Sequence, residues 1–368
     1  MLATYIHDLD PVIFSITDSI KLRWYGLAYL LAFVVGYYLL KWLGNKKLWV
    51  LPGNQAGDFI AYAAFFGVFL GGRIGNVLIY QRAELMEDPS MIFRVWEGGM
   101  ASHGGILGLM IFTLVYSRMK KVSWTGLGDA LCVVAPLGLM FGRIANFING
   151  ELYGRVDRAY GWAMKFPNAL FDPRTKHDGD LGEWNVQGLA QRAASRAAGP
   201  ESEYGQYYET MAALDDKVQM GVVQKGTPEY AEYLDLVHLR SENLNKAIRD
   251  NDAVRDAVGK YLLPRYPSQL FQAALEGLAL FLILFLVRMK FPKLAHGVLT
   301  GLFFIFYAIF RISMENFRSP EVDNRSYFGI EITEGQFWSI FMIFIGLAFI
   351  IKAKISVGKK SIFNHGGL

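Results

Sequence analysis

The sequence predicts an all-α integral membrane protein of about seven transmembrane helices with an external, helical insertion domain. Three observations predict it. Of 368 residues, 53% are hydrophobic and 15% aromatic, while only 19% are charged; that is too apolar for an ordinary soluble domain. Seven long apolar runs punctuate the chain, each near the roughly 20 residues a helix needs to cross the hydrocarbon core. The connections between those runs alternate in charge.

Taken in order, residues 1–23 are a short extramembrane or interfacial segment. Asp8, Asp10 and Asp18 interrupt it before any apolar core forms, so it lacks the architecture of a secretory signal. The apolar runs are Trp24–Leu43, Asp58–Tyr80, Met100–Tyr116, Leu127–Ile148, Pro267–Val287, Gly297–Asn316 and Gln336–Ile351. Between the fourth and fifth, residues 155–264 are polar and charged, and Asp180–Tyr261 has helical composition with few Pro or Gly after Gly226. The expected organisation is a membrane domain over 1–154, an insertion over 155–264, a second membrane part over 265–352 and a tail over 353–368. The single cysteine, Cys132, excludes an intramolecular disulfide framework and a cysteine-based zinc site; in the apolar run Leu131–Pro136 it reads as packing.

Charge orients the spans. Lys41, Lys46 and Lys47 follow the first run, Arg118, Lys120 and Lys121 the third, Arg288, Lys290 and Lys293 the fifth, and Lys352, Lys354, Lys359 and Lys360 the seventh. The alternate short connections hold Lys21, Arg23, Arg82, Arg94, Arg318 and Arg325. Basic loops stay in the cytoplasm, so the N-terminus is expected outside, the C-terminus inside and the insertion outside.

Charged and polar groups inside a span are expensive and therefore functional candidates. With this orientation they fall at the outer leaflet: Arg73, Asn76 and Tyr80 on the second run, and Ser102, His103, Gly104 and Gly105 opening the third. Arg143, Asn146, Asn149 and Glu151 end the fourth, Ser268 and Gln269 open the fifth, and Tyr307, Arg311, Glu315 and Arg318 form one stripe of the sixth. At the helical rise, Arg143 lies about 9 Å from its helix end and Arg311 about 10 Å from Arg318, the depth of lipid headgroups and first acyl carbons. A conduction path would also need polar groups in the inner half, where Asp129 is nearly alone. The planar fork of arginine binds phosphate bidentately and stays ionised in low dielectric, and Glu315, one turn from Arg311, is placed to orient it. His103 has an ordinary pKa near neutrality and is the natural general base or acid.

Plainer readings compete for some of these positions. Arg73 and Arg318 fit a salt bridge as well as a substrate contact, and His103 by itself would read as a hydrogen-bonded helix terminus. Gly67, Gly71 and Gly75 have the spacing of a helix-packing face, Pro136 of a kink, and Asp129 of a helix cap or structural ion pair.

The stretch Gly142-Arg143-Ile144-Ala145-Asn146-Phe147-Ile148-Asn149-Gly150-Glu151-Leu152-Tyr153-Gly154 resembles the signature of prolipoprotein diacylglyceryl transferases. So do Asp10–Ser15 with Arg23–Gly26, Phe69–Gly75, Trp96–Gly105, and Tyr307–Arg311 continuing to Glu315 and Arg318. The matches cover nearly all of 8–154 and 264–350. Tyr266-Pro267-Ser268-Gln269-Leu270-Phe271-Gln272 stands where the family usually has His-Pro-Ser-Gln-Leu-Tyr-Glu. Pro320-Glu321 replaces a usual Pro-Asp, and the insertion is longer than expected of the family.

The resemblance implies a bacterial inner-membrane enzyme that transfers the diacylglyceryl group of phosphatidylglycerol to a thiol, that of the lipobox cysteine in a prolipoprotein signal peptide, releasing glycerol phosphate. Its implied partners are those two substrates and membrane lipids, with no nucleic acid, metal or organic cofactor. The implied catalytic residues are His103 as base, Arg143 and Arg311 at the phosphate, and Tyr25 and Asn146. Arg73, Gly104, Asn149, Glu151, Gly154, Gln269, Tyr307, Glu315 and Arg318 are the expected substrate-binding residues. The competing class is a transporter or scramblase of an anionic phospholipid, with the arginines as a selectivity ring.

Overall fold

A computed structural model describes every residue except 1–3, 18–20, 95–98, 158–160, 173–182, 224–226, 320–324, 328–329 and 366–368. The chain is mostly helical. Its described helices are α1 (Trp24–Asn45), α2 (Gly53–Tyr80), α3 (Arg82–Glu87), α4 (Ser102–Lys120), α5 (Trp124–Ile148), α6 (Glu183–Ala198), α7 (Glu203–Gln219), α8 (Pro228–His238), α9 (Arg240–Asp250), α10 (Asp252–Gly259), α11 (Ser268–Lys290), α12 (Val298–Met314) and α13 (Glu334–His365). Three two-stranded antiparallel ribbons, which composition did not foreshadow, pair β1 (Val12–Ser15) with β2 (Lys21–Arg23), β3 (Met164–Lys165) with β4 (Pro264–Arg265) and β5 (Arg325–Tyr327) with β6 (Ile330–Ile332).

Five helices are long and apolar enough to cross a membrane: α1, α2, α5, α11 and the Glu334–Ile355 part of α13. The other two apolar runs became α4, of 19 residues, and α12, apolar but only 17 residues long. Many large apolar side chains on these helices lie exposed, among them Leu30, Phe65, Ile106, Leu107, Phe344 and Ile351. So much uncovered apolar surface is costly in water and costs nothing against lipid tails. The protein is accordingly a multi-pass helical membrane protein. Within α2 and α11 the hydrogen-bond ladder passes through π-helical stretches at Ala63–Phe69 and Ala273–Ala279.

The chain divides into two units. One comprises Ala28–Phe141, Ala273–Ile312 and Phe337–Leu368. Its core centres on Leu40, Leu43, Phe59, Leu127, Leu280, Leu284 and Leu299, all fully buried. In lipid, apolar burial does little to join helices, and close backbone approach does the work instead. Here Gly67, Gly71 and Gly75 of α2 lie against Gly104, Gly108 and Leu109 of α4, with a methyl at Gly71 placed 2.7 Å from the Gly104 carbonyl and 2.8 Å from Gly108 Cα. Asp129, fully buried, is both cap and ion-pair partner. It accepts hydrogen bonds from the Gly297 and Thr300 amides and the Thr300 hydroxyl, each 2.8 Å, at the start of α12, and lies 3.7 Å from Arg288.

The other unit comprises Met1–Leu27, Gly142–Gln272 and Ser313–Gln336. Its core joins α6, α7, α9 and α10 through Ala190, Ala194, Tyr204, Leu244, Ile248, Val254 and Val258. Each buried Leu or Ile there contributes about 2 kcal/mol by leaving water. Side-chain caps fix where these helices start: Ser202 accepts from the Gly205 amide, Thr227 (before Pro228) from Tyr230, and Asn251 from Ala253 and Val254.

Candidate active site

The signature residues fall where α5 ends. A helix terminus leaves carbonyls without intrahelical partners, and here the chain leaves α5 through a turn with two left-handed residues, Gly150 (φ 64°) and Leu152 (φ 55°). Glycine adopts that conformation freely, whereas a leucine pays on the order of 1 kcal/mol, so the turn must be held by its surroundings. The holding groups come from far along the chain. Ser268 Oγ donates to the Leu152 carbonyl (3.0 Å), and the Gln269 amide donates to the Glu151 carbonyl (2.6 Å). Residues 154–157 are then tied down through isolated bridges of Gly154 with Arg318 and of Val156 with Arg265. Gly154 N donates to the Tyr266 carbonyl (2.8 Å), Arg155 N to Phe317 (3.0 Å) and Asp157 N to Pro264 (2.9 Å), while Arg155 Nε reaches the Arg318 carbonyl (2.8 Å).

This geometry gathers several predicted residues. Glu151 Oε1 accepts from Asn146 Nδ2 (2.7 Å) and Asn149 Nδ2 (3.3 Å), so two amides orient one carboxylate. Gln269 is 1% exposed, and its Oε1 has no hydrogen-bond partner among the described residues. Gly154 is enclosed by backbone on both sides and also forms a bridge with Arg318. Arg318 lies 3.9 Å from Glu315, and both are buried. Arg143, half-buried near the end of α5, makes no side-chain hydrogen bond or ion pair among the described residues. Its guanidinium donors are thus left to an anionic ligand or solvent. Tyr25 sits in the first turn of α1 with 36% of its surface exposed.

In the other unit, His103 stands exposed in the first turn of α4 and lines an apolar groove of about 860 Å³ with Phe66, Leu70, Ile74, Leu107 and Ile111. Gly104 lines the same groove and also packs against α2, where its missing side chain admits Gly71 and Gly75. Arg73 is 3% exposed and wrapped by main-chain carbonyls: Met91 (2.5 Å), Arg94 (2.9 Å), Ile92 (3.3 Å) and Gly99 (3.4 Å). It fastens the connection that leads into His103. The same connection is tied by Asp88, where hydrogen bonds from Ser90 and then Arg94 hold the carboxyl down to about 2. Tyr307 stacks on Phe303 (5.8 Å, 11°), and Arg311, one turn on, is half-buried. Trp96–Gly98 of the histidine–glycine stretch, and Pro320-Glu321, lie outside the described residues.

Sequence reasoning missed several groups that shape the turn: His7, Asn168, Asn245, and the Tyr266 and Phe317 carbonyls. Tyr266 lies in the Tyr266–Gln272 stretch, where only side chains carry the resemblance; the others belong to no motif and show no periodicity, and main-chain acceptors carry no residue signal at all. Phe166, a fully buried aromatic within a polar segment, was the one local hint.

Comparisons with known proteins identify the family. The family model described as prolipoprotein diacylglyceryl transferase matches residues 11–352. Proteins named phosphatidylglycerol–prolipoprotein diacylglyceryl transferase from Bdellovibrio bacteriovorus (35% identical, 94% of this chain and 93% of that one) and Shigella boydii (34%, 96% and 97%) are similar along their lengths. One from Escherichia coli is similar to the same extent (34%, 96% and 97%). With the signature turn, its clamps and a match spanning 11–352, the chain belongs to the prolipoprotein diacylglyceryl transferase family.

Proposed function

We propose that this chain transfers the diacylglyceryl group of phosphatidylglycerol to the lipobox cysteine of prolipoprotein signal peptides. The observation that carries the reading is the Gly142–Gly154 signature, folded as a clamped turn with Asn146 and Asn149 on Glu151, within a family match over 11–352. The lipid-transporter reading draws no support from that match.

The step balances without an external reagent. The cysteine sulfur attacks the glycerol carbon that bears the phosphate ester. A C–S bond forms, the C–O bond breaks, its electron pair leaves with the phosphate oxygen, and the thiol proton passes to a base. A thiol of ordinary pKa near 8.5 gains from a neighbouring base, the role assigned to His103. Arg143 and Arg311 hold the phosphate as its charge shifts to the leaving oxygen. Tyr25, Asn146 and Tyr307 donate to the headgroup, and Glu151, fixed by Asn146 and Asn149, accepts from a glycerol hydroxyl. Gln269, Glu315 and Arg318 line the substrate, while Gly154, Gly104 and Arg73 act through backbone shape, helix packing and loop position.

The same reading gives seven spans in the bacterial cytoplasmic membrane, the N-terminus and the 155–264 insertion outside, and the C-terminus inside. Basic residues on alternate connections support it. The function is tested by depleting an Escherichia coli strain of its own transferase and expressing this chain. Restored growth with diacylglyceryl-modified prolipoprotein is expected; membrane-inserted chain with unmodified prolipoprotein would overturn it. His103→Ala and Arg143→Ala test the roles, and near-full turnover in either would remove that assignment. Lipid flux in proteoliposomes without a peptide acceptor would restore the transporter.

A further inference from the structure

We propose that Asn168 and Asn245 are positioning residues for diacylglyceryl transfer, forming an amide relay from the polar helical segment to the signature turn. The inference rests on the transferase reading above.

The turn needs an outside constraint. Leu152 occupies a left-handed conformation (φ 55°), and strain of this kind persists only where surrounding contacts over-determine it. Just before it, the Asn149 and Gly150 carbonyls emerge past the end of α5. One side chain takes both: Asn168 Nδ2 donates to Asn149 O (3.0 Å) and Gly150 O (3.2 Å). A carboxamide has two faces and could turn over, offering its oxygen to those carbonyls instead. Asn245 prevents this, because its Nδ2 donates to Asn168 Oδ1 (2.6 Å). The Asn168 amide is therefore fixed by one bond on its oxygen and two on its nitrogen.

The relay ends on functional groups. Asn149, whose carbonyl is held, directs its own amide to Glu151 Oε1 (3.3 Å), where Asn146 also donates (2.7 Å). A shift of the Asn149–Gly150 backbone therefore moves the amide that orients Glu151. Aromatic rings also pack beside the turn. His7 stacks on Phe166 (5.4 Å), Phe166 stacks on Tyr153 (5.3 Å), and Phe147 meets His7 edge-on (5.3 Å). A methyl at Gly150 would lie 3.1 Å from His7 Nδ1 and 3.2 Å from Asn168 Nδ2, so the turn has little space to relax. Asn245 rides on α9, whose Leu244, Ala247 and Ile248 are embedded in the helical core of this unit. The helical segment thus supplies an anchor to the signature.

The test uses the full chain in detergent with phosphatidylglycerol and a synthetic lipobox peptide. Asn168→Asp keeps the size but aims a carboxylate at two carbonyls. Asn245→Asp aims one at Asn168 Oδ1. A positioning role predicts kcat lower by about 10- to 100-fold in Asn168→Asp, since roughly 1 Å of misplacement costs up to 10²-fold. KM for both substrates should stay within about threefold of wild type. Asn245→Asp should lose less than Asn168→Asp, and the double alanine variant, which adds no charge, no more than Asn168→Ala alone, because both act through one amide. If Asn168→Asp does not fold, Asn168→Ala carries the same readings without the added charge. Wild-type kcat in the single variants, multiplicative losses in the double, or losses matched by the folded fraction would each overturn the relay. A wild-type protein that modifies no peptide would overturn the transferase reading instead.

Discussion

Replacing Gly154 by alanine measures how tightly the signature segment is clamped. A methyl carbon built on Gly154 lies 2.8 Å from the Tyr266 carbonyl oxygen and 2.9 Å from Tyr266 Cβ, with the Phe317 carbonyl closer still. Ordinary contact begins at 3.4 Å, so the Tyr266 carbonyl alone would have to retreat by about 0.6 Å. It cannot do so freely, because it accepts the Gly154 N–H at 2.8 Å while Phe317 accepts Arg155 N at 3.0 Å. Overpacking costs about 1–3 kcal/mol, and each of the two weakened hydrogen bonds about 1 kcal/mol, for a total of about 3–5 kcal/mol. Glu151 and Leu152 form the turn just before Gly154, so transfer should slow by about 10- to 100-fold. Purified Gly154→Ala would be compared with wild type by thermal inactivation in detergent and by initial transfer rate. Gly161→Ala is the control, since nothing lies within 4 Å of its added methyl and it lies outside the signature, and it should behave as wild type. Gly154→Ala with wild-type stability and rate would refute the clamp.

Other expectations follow from the same geometry. Arg73→Ala strips a buried guanidinium from the Met91, Ile92, Arg94 and Gly99 carbonyls; it should cost at least about 3 kcal/mol, read as faster proteolysis of the 88–100 connection, and an unchanged cleavage pattern would exclude the loop role. Burial holds the His7 imidazole below its ordinary pKa, so the unfolded chain binds its proton first as pH falls. Stability should be unaffected above about pH 6.5 and decline below it, by at most about 1.4 kcal/mol per pH unit. His7→Phe, which keeps the ring stack, should flatten that decline in melting curves, and an identical slope would exclude His7 as its source. In a Cys132→Ala background, Met220→Cys, which is exposed, should react with a membrane-impermeant maleimide on intact spheroplasts. Lys47→Cys should react only after permeabilisation, and the reverse pattern would invert the topology.

The apolar runs were legible because a membrane span is a local property. The predicted Asp58–Tyr80 and Gly297–Asn316 became α2 and α12 with ends moved by a few residues. At α2 a 3-10 turn after Pro52 extends the start to Gly53, and at α12 the helix stops at Met314. Gly67, Gly71 and Gly75 announced their packing face by spacing alone. Asp129 announced its capping role because an isolated buried carboxylate has few other uses. The clamps were not legible. Ser268 and Gln269 reach carbonyls of Leu152 and Glu151 from more than a hundred residues away, and a main-chain acceptor looks the same behind every side chain. The sequence exposed Arg73 as a charge in a span, but the carbonyl cage around it exists only once Met91, Ile92, Arg94 and Gly99 are brought back against it. Gly104 reads equally as a substrate approach or a helix contact until α2 is beside it. Asn168 and Asn245 carry no pattern, since a single amide in a polar segment is common.

The most direct test of the account is an intact-mass measurement on a lipobox peptide incubated with purified protein and phosphatidylglycerol, with glycerol phosphate measured in the same reaction. The account predicts a mass gain of one diacylglyceryl group, one glycerol phosphate released per peptide modified, and neither product when the peptide cysteine is serine. Folded protein that leaves the cysteine peptide unmodified, or modifies the serine peptide equally, would contradict it.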